Sequence, residues 1–503
     1  MAADLLLGID IGTYSSKGVL VEQDGRVAAS AGVEHELSLP HPGHVEHDPE
    51  KVWWSDLQAL VRQLLASSGV ESRRIAGIGI SAISPAVVAA DERGLALRPA
   101  ILYGIDTRAT REIEELQALT GASLSSQSAA PKLLWIRRHE PEVWARTRRI
   151  LNGCGYLVLR LTGEAAIDVY DACLFAPFFD PAARAWSPDL AVHLAPVEWM
   201  PRVRWTCEVA GRLTARAARE TGLAEGTPVI TGTADAAAEA ISAGLSAVGE
   251  MMLMYGSSTF FILRTAELRA PAGFWASPFL EKDSFVVAGG TATAGSLTRW
   301  FRDNFAAEEL EAQRAGGADA YQTLAALAAS SPPGSRGLVV LPYFSGERTP
   351  LHDPQARGVV FGLGLSHSRA DVYRALLEAV GYSIRHNLEA LAEQGCRAER
   401  ILAVGGGTRN ALWMQLVSDI AGIAQDIPGE QSGASYGDAF LAGVGAGLFR
   451  GTGEVRRWVR PGRTVQPEAG ARAVYDGSYR IYRELYRRNA GLMRELGELA
   501  SGG

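Results

Sequence analysis

The sequence is poor in sulfur and has no segment suited to a membrane. Its four cysteines, Cys154, Cys173, Cys207 and Cys396, lie far apart with no CxxC pair and no Cys/His spacing. That excludes a disulfide framework and a zinc site, and is the pattern of reduced thiols in a cytoplasmic enzyme. No apolar run approaches the roughly 18 residues a spanning helix needs, so no membrane is expected as partner. The opening MAADLLLGID has no basic region and too short an apolar stretch for a signal peptide. A formal net charge of -7 supplies no broad positive field, so nucleic acid is not an expected partner. A phosphate-bearing substrate would need a local site. The common nucleotide motifs are missing too. There is no GxxxxGK[ST], and no GxGxxG opens a helix after the first strand. GVGAG at 443–447 lies inside a helical stretch and reads as a close-packing surface.

What is present is an ordinary globular composition, 47% hydrophobic and 21% charged over 503 residues, too long for a single core. Strand-like and helix-like segments alternate, which predicts an α/β protein. LLLGID leads through a Gly/Ser turn into a second strand, and Asp24-Gly25 turns into a third. Residues 50–67 carry helical apolar spacing, with Trp53 and Trp54 as core candidates, and IAGIGIS reads as a buried parallel strand. The second half opens alike: MMLMYGSSTFFIL is again strand, Gly/hydroxyl turn, strand. Each half also contains a strand, a Gly-rich turn and a helix: VITGTADAAAEAIS and ILAVGGGTRNALWMQLVSDIAG. Two related domains, 1–246 and 247–503, are the expectation. The tail, 473–498, reads as an amphipathic helix packed across the outside of a domain.

The candidate chemistry sits at these turns. Backbone N–H groups of a turn such as Gly12-Thr13-Tyr14-Ser15-Ser16 can converge on an anion, with hydroxyls as further donors. Asp10, just before it, suits a Mg²⁺ that bridges phosphates through water, and Lys17 can neutralise charge. Read alone, the stretch is equally a tight hairpin with surface hydroxyls. In GTADAAAEA, Asp235 follows a Gly-rich turn at a helix mouth, placed either to accept a hydroxyl proton or simply to cap the helix. Gly232 leaves room for a phosphate. Gly405 to Gly407 leave a flat surface for a base, and Asn410 offers an amide. His41, His44 and His47 lack a defined ligand geometry and are not read as a metal site.

DIGTYSSK, PKLLWIRRHEPE, GTAD, YGSS, GSLTRWFRD and GGGTRN occur in order, and residues 358–378 fit a C-terminal sugar-kinase signature. With these motifs the chain resembles the FGGY carbohydrate kinases, in their xylulokinase-like branch, within the actin-like, sugar kinase and Hsp70 ATPase fold group. The resemblance implies two actin-like (ribonuclease H-like) domains, each a mixed sheet flanked by helices, with an interdomain cleft. It implies ATP and Mg²⁺. Gly12, Thr13, Ser15 and Lys17 with Gly232 and Ser257 would bracket the phosphates, and Asp10 would stand near the metal. Gly295, Arg299, Gly406 and Asn410 would surround the nucleotide, and Asp235 would be the general base. Dimers are common among similar kinases, so a homodimer is the expectation.

The acceptor site departs from the pattern. Xylulose-phosphorylating members usually carry Gln-Met-His-Gly after the IAGIGIS strand, whereas this chain has SAISPA, with Ser84 and Pro85 where Met and His would stand. The Arg-Glu pair of glycerol-phosphorylating members is missing too, and Ala236 follows the base where Asn or Gln is common. Asp106 and Arg108 keep the family's Asp-x-Arg pattern; they either line or brace the sugar pocket, or are a helix-start Asp and a surface Arg. The expected activity is ATP-dependent phosphorylation of a small sugar or polyol, with a ketopentose such as xylulose or ribulose first. The alternatives are a nucleotide-driven scaffold ATPase on the same fold and a sugar-binding protein that has lost activity.

Overall fold

A computed structural model gives the structure of the chain, described here for residues 4–429 and 433–501. The chain divides into two compact units, Met1–Ser246 with Ser277–Phe285 and Ser432–Val459, and Ala247–Ala276 with Val286–Gln431 and Arg460–Gly503. A single cut at 246/247 therefore does not describe the division, because two later segments return to the first unit. One of them carries a helix whose packing fixes the first unit's centre.

The first unit is built on a seven-stranded mixed sheet. Its strands are β1 (Leu5–Ile11), β2 (Ser15–Glu22), β3 (Val27–Glu34), β4 (Ile75–Ala82), β5 (Val209–Arg212), β6 (Pro228–Ile230) and the short β7 (Thr233–Ala234). β1, β2 and β3 form an antiparallel meander, while β4 runs parallel to β1 and aligns Asp10 with Ser81. β7 continues beside β4 and aligns Thr233 with Ser81. The ends of β1, β4 and β7 thus meet at one place, where Asp10, Ser81 and Asp235 fall together. Helix α1 (Ser55–Ser68) packs on β2 and β3, and Trp53 and Trp54 before it are buried, as their spacing suggested.

The second unit repeats the plan. β8 (Glu250–Tyr255) and β9 (Thr259–Thr265) form an antiparallel hairpin. β10 (Trp275–Pro278) and β11 (Phe285–Gly289) extend its sheet beyond β9. β12 (Arg400–Val404) lies parallel to β8, followed by β13 (Gln425–Ile427) and β14 (Arg463–Val465). In both sheets the first strand of a hairpin sits centrally with a later parallel strand beside it. The resemblance between halves is therefore topological. The terminal helix Arg472–Ser501 buries Tyr475, Tyr479 and Tyr482 against Tyr343 and Tyr382 of the second unit.

The segment that returns to the first unit includes the helix Ala434–Gly445, which lies on β1 and β4. Its approach depends on strand glycines. A Cβ on Gly8 would lie 1.8 Å from the Ser435 carbonyl oxygen, and one on Gly79 2.1 Å from that of Asp438. Close packing expected for this helix is therefore realised, mainly through glycines of the strands it covers. Gly79→Ala is expected to destabilise the protein by about 1–3 kcal/mol, the cost of overpacking a tight contact. Chemical denaturation checks this, and an unchanged midpoint would contradict the packing described.

Candidate active site

β1 and β2 close through the turn Gly12-Thr13-Tyr14-Ser15, in which the Gly12 N–H donates to the Ser15 carbonyl at 3.0 Å. A Cβ at Gly12 would stand 2.7 Å from that oxygen, so glycine permits the turn. Thr13 Oγ1 shares a 3.0 Å hydrogen bond with the Tyr103 hydroxyl. Tyr14 is 65% exposed, so its ring faces solvent. The alternation of β2 turns Ser16 inward, where Oγ donates to Asp56 at 2.7 Å, and leaves Lys17 outward. Behind the turn His35 contacts Asp56 at 2.8 Å and the Gly12 carbonyl at 3.1 Å. His47 accepts from Trp53 Nε1. Among the described residues no group of three or more His, Cys, Asp or Glu is arranged to hold a metal ion.

Beyond the turn, four carboxylates crowd one region. Asp10 and Asp235 are half-buried at the ends of β1 and β7, and Glu239 stands one helical turn after Asp235. Asp438 is fully buried on the covering helix. Ser81 Oγ lies 2.7 Å from Asp438 Oδ2 and 3.2 Å from Asp10 Oδ1, joining the two. Among the described residues Asp438 Oδ1 has no hydrogen-bond partner. Burial disfavours the charged forms, and the groups repel one another. Burial, then Asp10, pushes Asp235 up to about 8, opposed by the Ala236 N–H. Burial and Asp10 raise Glu239 to about 7, with Lys17 opposing. Burial also raises Asp10 to about 6 against the pull of Lys17 and Ser81, and Asp438 goes well above its ordinary range. Asp235 Oδ1 accepts the Ala236 N–H at 2.7 Å in the first turn of its helix, which engages one of its two oxygens.

Gly232 sits at φ +74°, with its Cβ position 2.2 Å from the Ile80 carbonyl oxygen. Packing against β4 already requires glycine there. Ser84 donates to Asp171 Oδ1 at 2.5 Å, and Pro85 beside it is buried. Asp106 and Arg108 form an internal pair, not a helix-start Asp with a surface Arg. Arg108 Nη2 is 2.7 Å from Asp106 Oδ2, its Nη1 donates to Glu46, and its guanidinium covers Trp135 at 4.8 Å. Asp106 also accepts the Val45 N–H at 2.6 Å. Both side chains are almost wholly enclosed, so they brace the segment leading from Tyr103 and do not line an open pocket.

In the second unit the structure brings Ser257 and Gly295 together. The Ser257 carbonyl accepts from Ala294 and Ser296, and the Gly256 carbonyl accepts from Gly295 at 3.0 Å. Gly295 opens the helix Gly295–Phe305, and Arg299 is exposed one turn along it. Gly405, at φ +92°, and Gly407 press on Tyr255 at the end of β8. Between them Gly406 is open on the surface. Asn410 caps the helix Ala411–Ala421 by accepting the Trp413 N–H, which leaves its amide donors.

Several residues were not singled out from the sequence. Glu347 accepts from the N–H groups of Ala292 and Arg348, and Arg348 donates to the carbonyls of Thr259 and Thr291. Together they fix the loop that enters Gly295. Glu239, Asp438, Tyr103 and Asp171 each interact electrostatically with Asp235, and Ser81 is in register with Thr233 just before it. The signals were faint: a lone Asp in the apolar helix SYGDAFLAG, and two Asp in the apolar run AIDVYDACLF.

Two repeated mixed sheets, with Gly/hydroxyl hairpins and a carboxylate at a strand end facing a general-base candidate, define a two-domain α/β phosphotransferase. The sequence comparisons agree and are more specific. Residues 5–242 match the N-terminal domain of the FGGY family of carbohydrate kinases, and residues 251–446 match its C-terminal domain. The chain belongs to this family, whose members transfer phosphate from ATP to a sugar hydroxyl. It is 31% identical to a xylulose kinase of Escherichia coli, over 97% of this chain and all of that one. A xylulose kinase of Staphylococcus epidermidis is 28% identical over 99% of both chains. The crystal structure of a xylulose kinase from Rhodospirillum rubrum superposes with a TM-score of 0.90 at 34% identity, covering 97% of this chain and 100% of that one. No helix among the described residues is long and apolar enough to cross a membrane.

The raised carboxylates fix the sign of a pH effect. In the unfolded chain they ionise near their ordinary values, so between about pH 4 and 8 the folded state holds more protons. Stability from these groups is therefore greatest at the acid end and falls as pH rises. Asp235→Asn keeps the shape without the charge. Its melting temperature is expected to exceed that of the unaltered protein at pH 8, with the gap closing toward pH 4.5. Equal melting temperatures at pH 8 would contradict the burial of this charge.

Proposed function

We propose that the protein phosphorylates a hydroxyl of a ketopentose such as xylulose or ribulose, with Asp235 as general base. The carrying observation is Asp235 itself: half-buried at a helix start, with one oxygen held by the Ala236 N–H, and raised to about 8 by burial and Asp10. The xylulose kinases it resembles support the choice of acceptor.

Asp10 would hold Mg²⁺. The residues fit such an ion: one accessible carboxylate at a strand end, with no all-protein cage among the described residues, suits a cation that keeps water and takes phosphate oxygens. When bound, it would neutralise charge on the phosphates. Gly12, Thr13 and Ser15 would donate to phosphate oxygens from the turn, and Lys17 would add a positive charge. In the second unit Ser257 would face the phosphates, and Gly295, Arg299, Gly406 and Asn410 would surround the nucleotide. Asp235 would take the proton from the attacking hydroxyl. Because phosphoryl transfer has a loose transition state, positioning and charge balance supply most of the rate gain.

Asp235→Ala is expected to lower kcat by roughly 10²–10⁴-fold while calorimetry still detects MgATP binding. Full turnover in that variant would contradict the assignment. A base must be ionised, and Asp235 is raised. The acid limb of kcat/KM for the sugar is therefore expected above the ordinary carboxylate range, between about pH 5.5 and 8. A limb confined below pH 4.5 would contradict it.

A further inference from the structure

The turn between β1 and β2 makes only half of the hydrogen bonding that closes a two-residue hairpin. The Gly12 N–H donates to the Ser15 carbonyl at 3.0 Å, but among the described residues the Gly12 carbonyl does not take the Ser15 N–H in return. It faces His35 instead, whose Nε2 lies 3.1 Å away. His35 is the first residue after β3 and grips the turn a second time, its backbone N–H donating to the Tyr14 carbonyl at 3.0 Å. A peptide group is planar and trans, so a carbonyl and the N–H that follows it point in opposite directions. With the carbonyls of Gly12 and Tyr14 drawn to His35, the N–H groups of Thr13 and Ser15 are turned away from it. Successive N–H groups turned outward in this way make an anion site.

The ring of His35 can hold that carbonyl only with a proton on each nitrogen. Nδ1 lies 2.8 Å from Asp56 Oδ2 of α1, and both side chains are enclosed, 7% and 9% exposed. A carbonyl oxygen only accepts, and so does an ionised carboxylate. Asp56 Oδ2 already receives the Ser16 hydroxyl proton at 2.7 Å. Either neutral tautomer would therefore set a ring lone pair against an oxygen at hydrogen-bond distance. Imidazole is a stronger base than a carboxylate, so the shared proton belongs to the ring. The adjoining histidine is the neutral one. His47 meets His35 edge-on at 4.9 Å between ring centroids, and its Nδ1 is an acceptor, because Trp53 Nε1 donates to it at 3.1 Å. Burial, then His35, lowers His47 to about 4, in agreement with a charge on His35 and none on His47.

We propose that His35 is a positioning residue for the phosphate turn: its ring, anchored by Asp56, keeps the Gly12 carbonyl from closing on the Ser15 N–H, so that the Thr13 and Ser15 N–H groups stay directed at a phosphate. The inference rests on the functional reading above, in which this turn holds the ATP phosphates, and adds what keeps it open before the nucleotide arrives. Without the ring donor the Gly12 carbonyl is free to take the Ser15 N–H. The hairpin then closes in the ordinary way and one donor is lost to the ligand. A site held ready costs its ligand less to bind than one that must be reordered. His35 touches no phosphate in this arrangement and acts only through the Gly12 carbonyl. Its effect therefore falls on the nucleotide and not on the sugar.

The test uses the full-length protein and MgATP, with binding read by calorimetry in the absence of sugar. Glutamine places its amide nitrogen where histidine has Nε2, and asparagine where it has Nδ1. His35→Gln thus keeps a donor for the Gly12 carbonyl and loses the one for Asp56, and His35→Asn does the reverse. His35→Asn and His35→Ala are expected to weaken MgATP binding about tenfold, the scale of one hydrogen bond, while His35→Gln stays within about threefold of the unaltered protein. KM for D-xylulose is expected to change by less than about twofold in all three. MgATP binding as tight in His35→Ala as in the unaltered protein would overturn the proposal. So would tighter binding in His35→Asn than in His35→Gln, since the pairing with Asp56 would then matter and not the grip on Gly12. Histidine-selective ¹⁵N NMR of the unaltered protein at pH 7, without nucleotide, provides a second readout. The His35 signals, identified by their loss in any of the three variants, are expected to show a proton on both ring nitrogens, and an unprotonated nitrogen there would overturn the proposal. Failure of the unaltered protein to bind MgATP would overturn the phosphate-turn reading and the role drawn from it, while the ¹⁵N signals would still decide whether His35 grips the Gly12 carbonyl.

Discussion

Asp10, Asp235, Glu239 and Asp438 are held together against their mutual repulsion, and the first unit is organised around that constraint. Four carboxylates in so small a region would separate if the backbone allowed it. Glycines on β1 and β4 let the helix carrying Asp438 approach to backbone contact, and Ser81 bridges it to Asp10. The parallel alignment of β1, β4 and β7 then sets Asp10 against Ser81 and brings Asp235 in beside them. Folding thus bears an electrostatic cost that a cation or a proton taken from the acceptor would relieve. Such a site binds ligands partly by releasing stress already present, at some expense of stability.

The same geometry explains a division of labour among acidic groups. Asp10 faces Lys17 and Ser81 and is the least raised of the three half-buried carboxyls, so it is the readiest to meet a cation as an anion. Asp235 is raised furthest of the three and, among the described residues, has no hydroxyl partner, which suits a group that must gain and lose a proton. Asp168 and Asp171 show a related separation on the acceptor side. Burial raises both carboxyls, Asp168 to about 6 against the pull of Thr206 and the Asp171 N–H, and Asp171 well above the ordinary carboxylate range. The environment of each group, more than its residue type, assigns its chemistry.

Much of this could be read from the sequence, for identifiable reasons. Asp10, Gly12 and Asp235 sit at strand ends beside glycine and hydroxyl residues, where local pattern and chemistry coincide. The two-hairpin plan was visible because both halves repeat it within a dozen residues. Partners distant in sequence were not visible. Asp438 meets Ser81, and Asp171 meets Ser84, only after the sheet has formed, and neither pairing leaves a local signature. The return of the helix Ala434–Gly445 to the first unit was hidden likewise, although its tight packing was expected from its small residues. Arg108 illustrates an open choice resolved by burial: a residue that could have been a surface charge is enclosed by Asp106, Glu46 and Trp135.

The most direct test of the whole account is a ³¹P NMR time course with purified protein, ATP, Mg²⁺ and D-xylulose or D-ribulose. The account expects a phosphomonoester resonance that grows as the γ-phosphate signal of ATP declines, in equal amounts. Release of inorganic phosphate alone, or an unchanged ATP spectrum with both sugars, would contradict it.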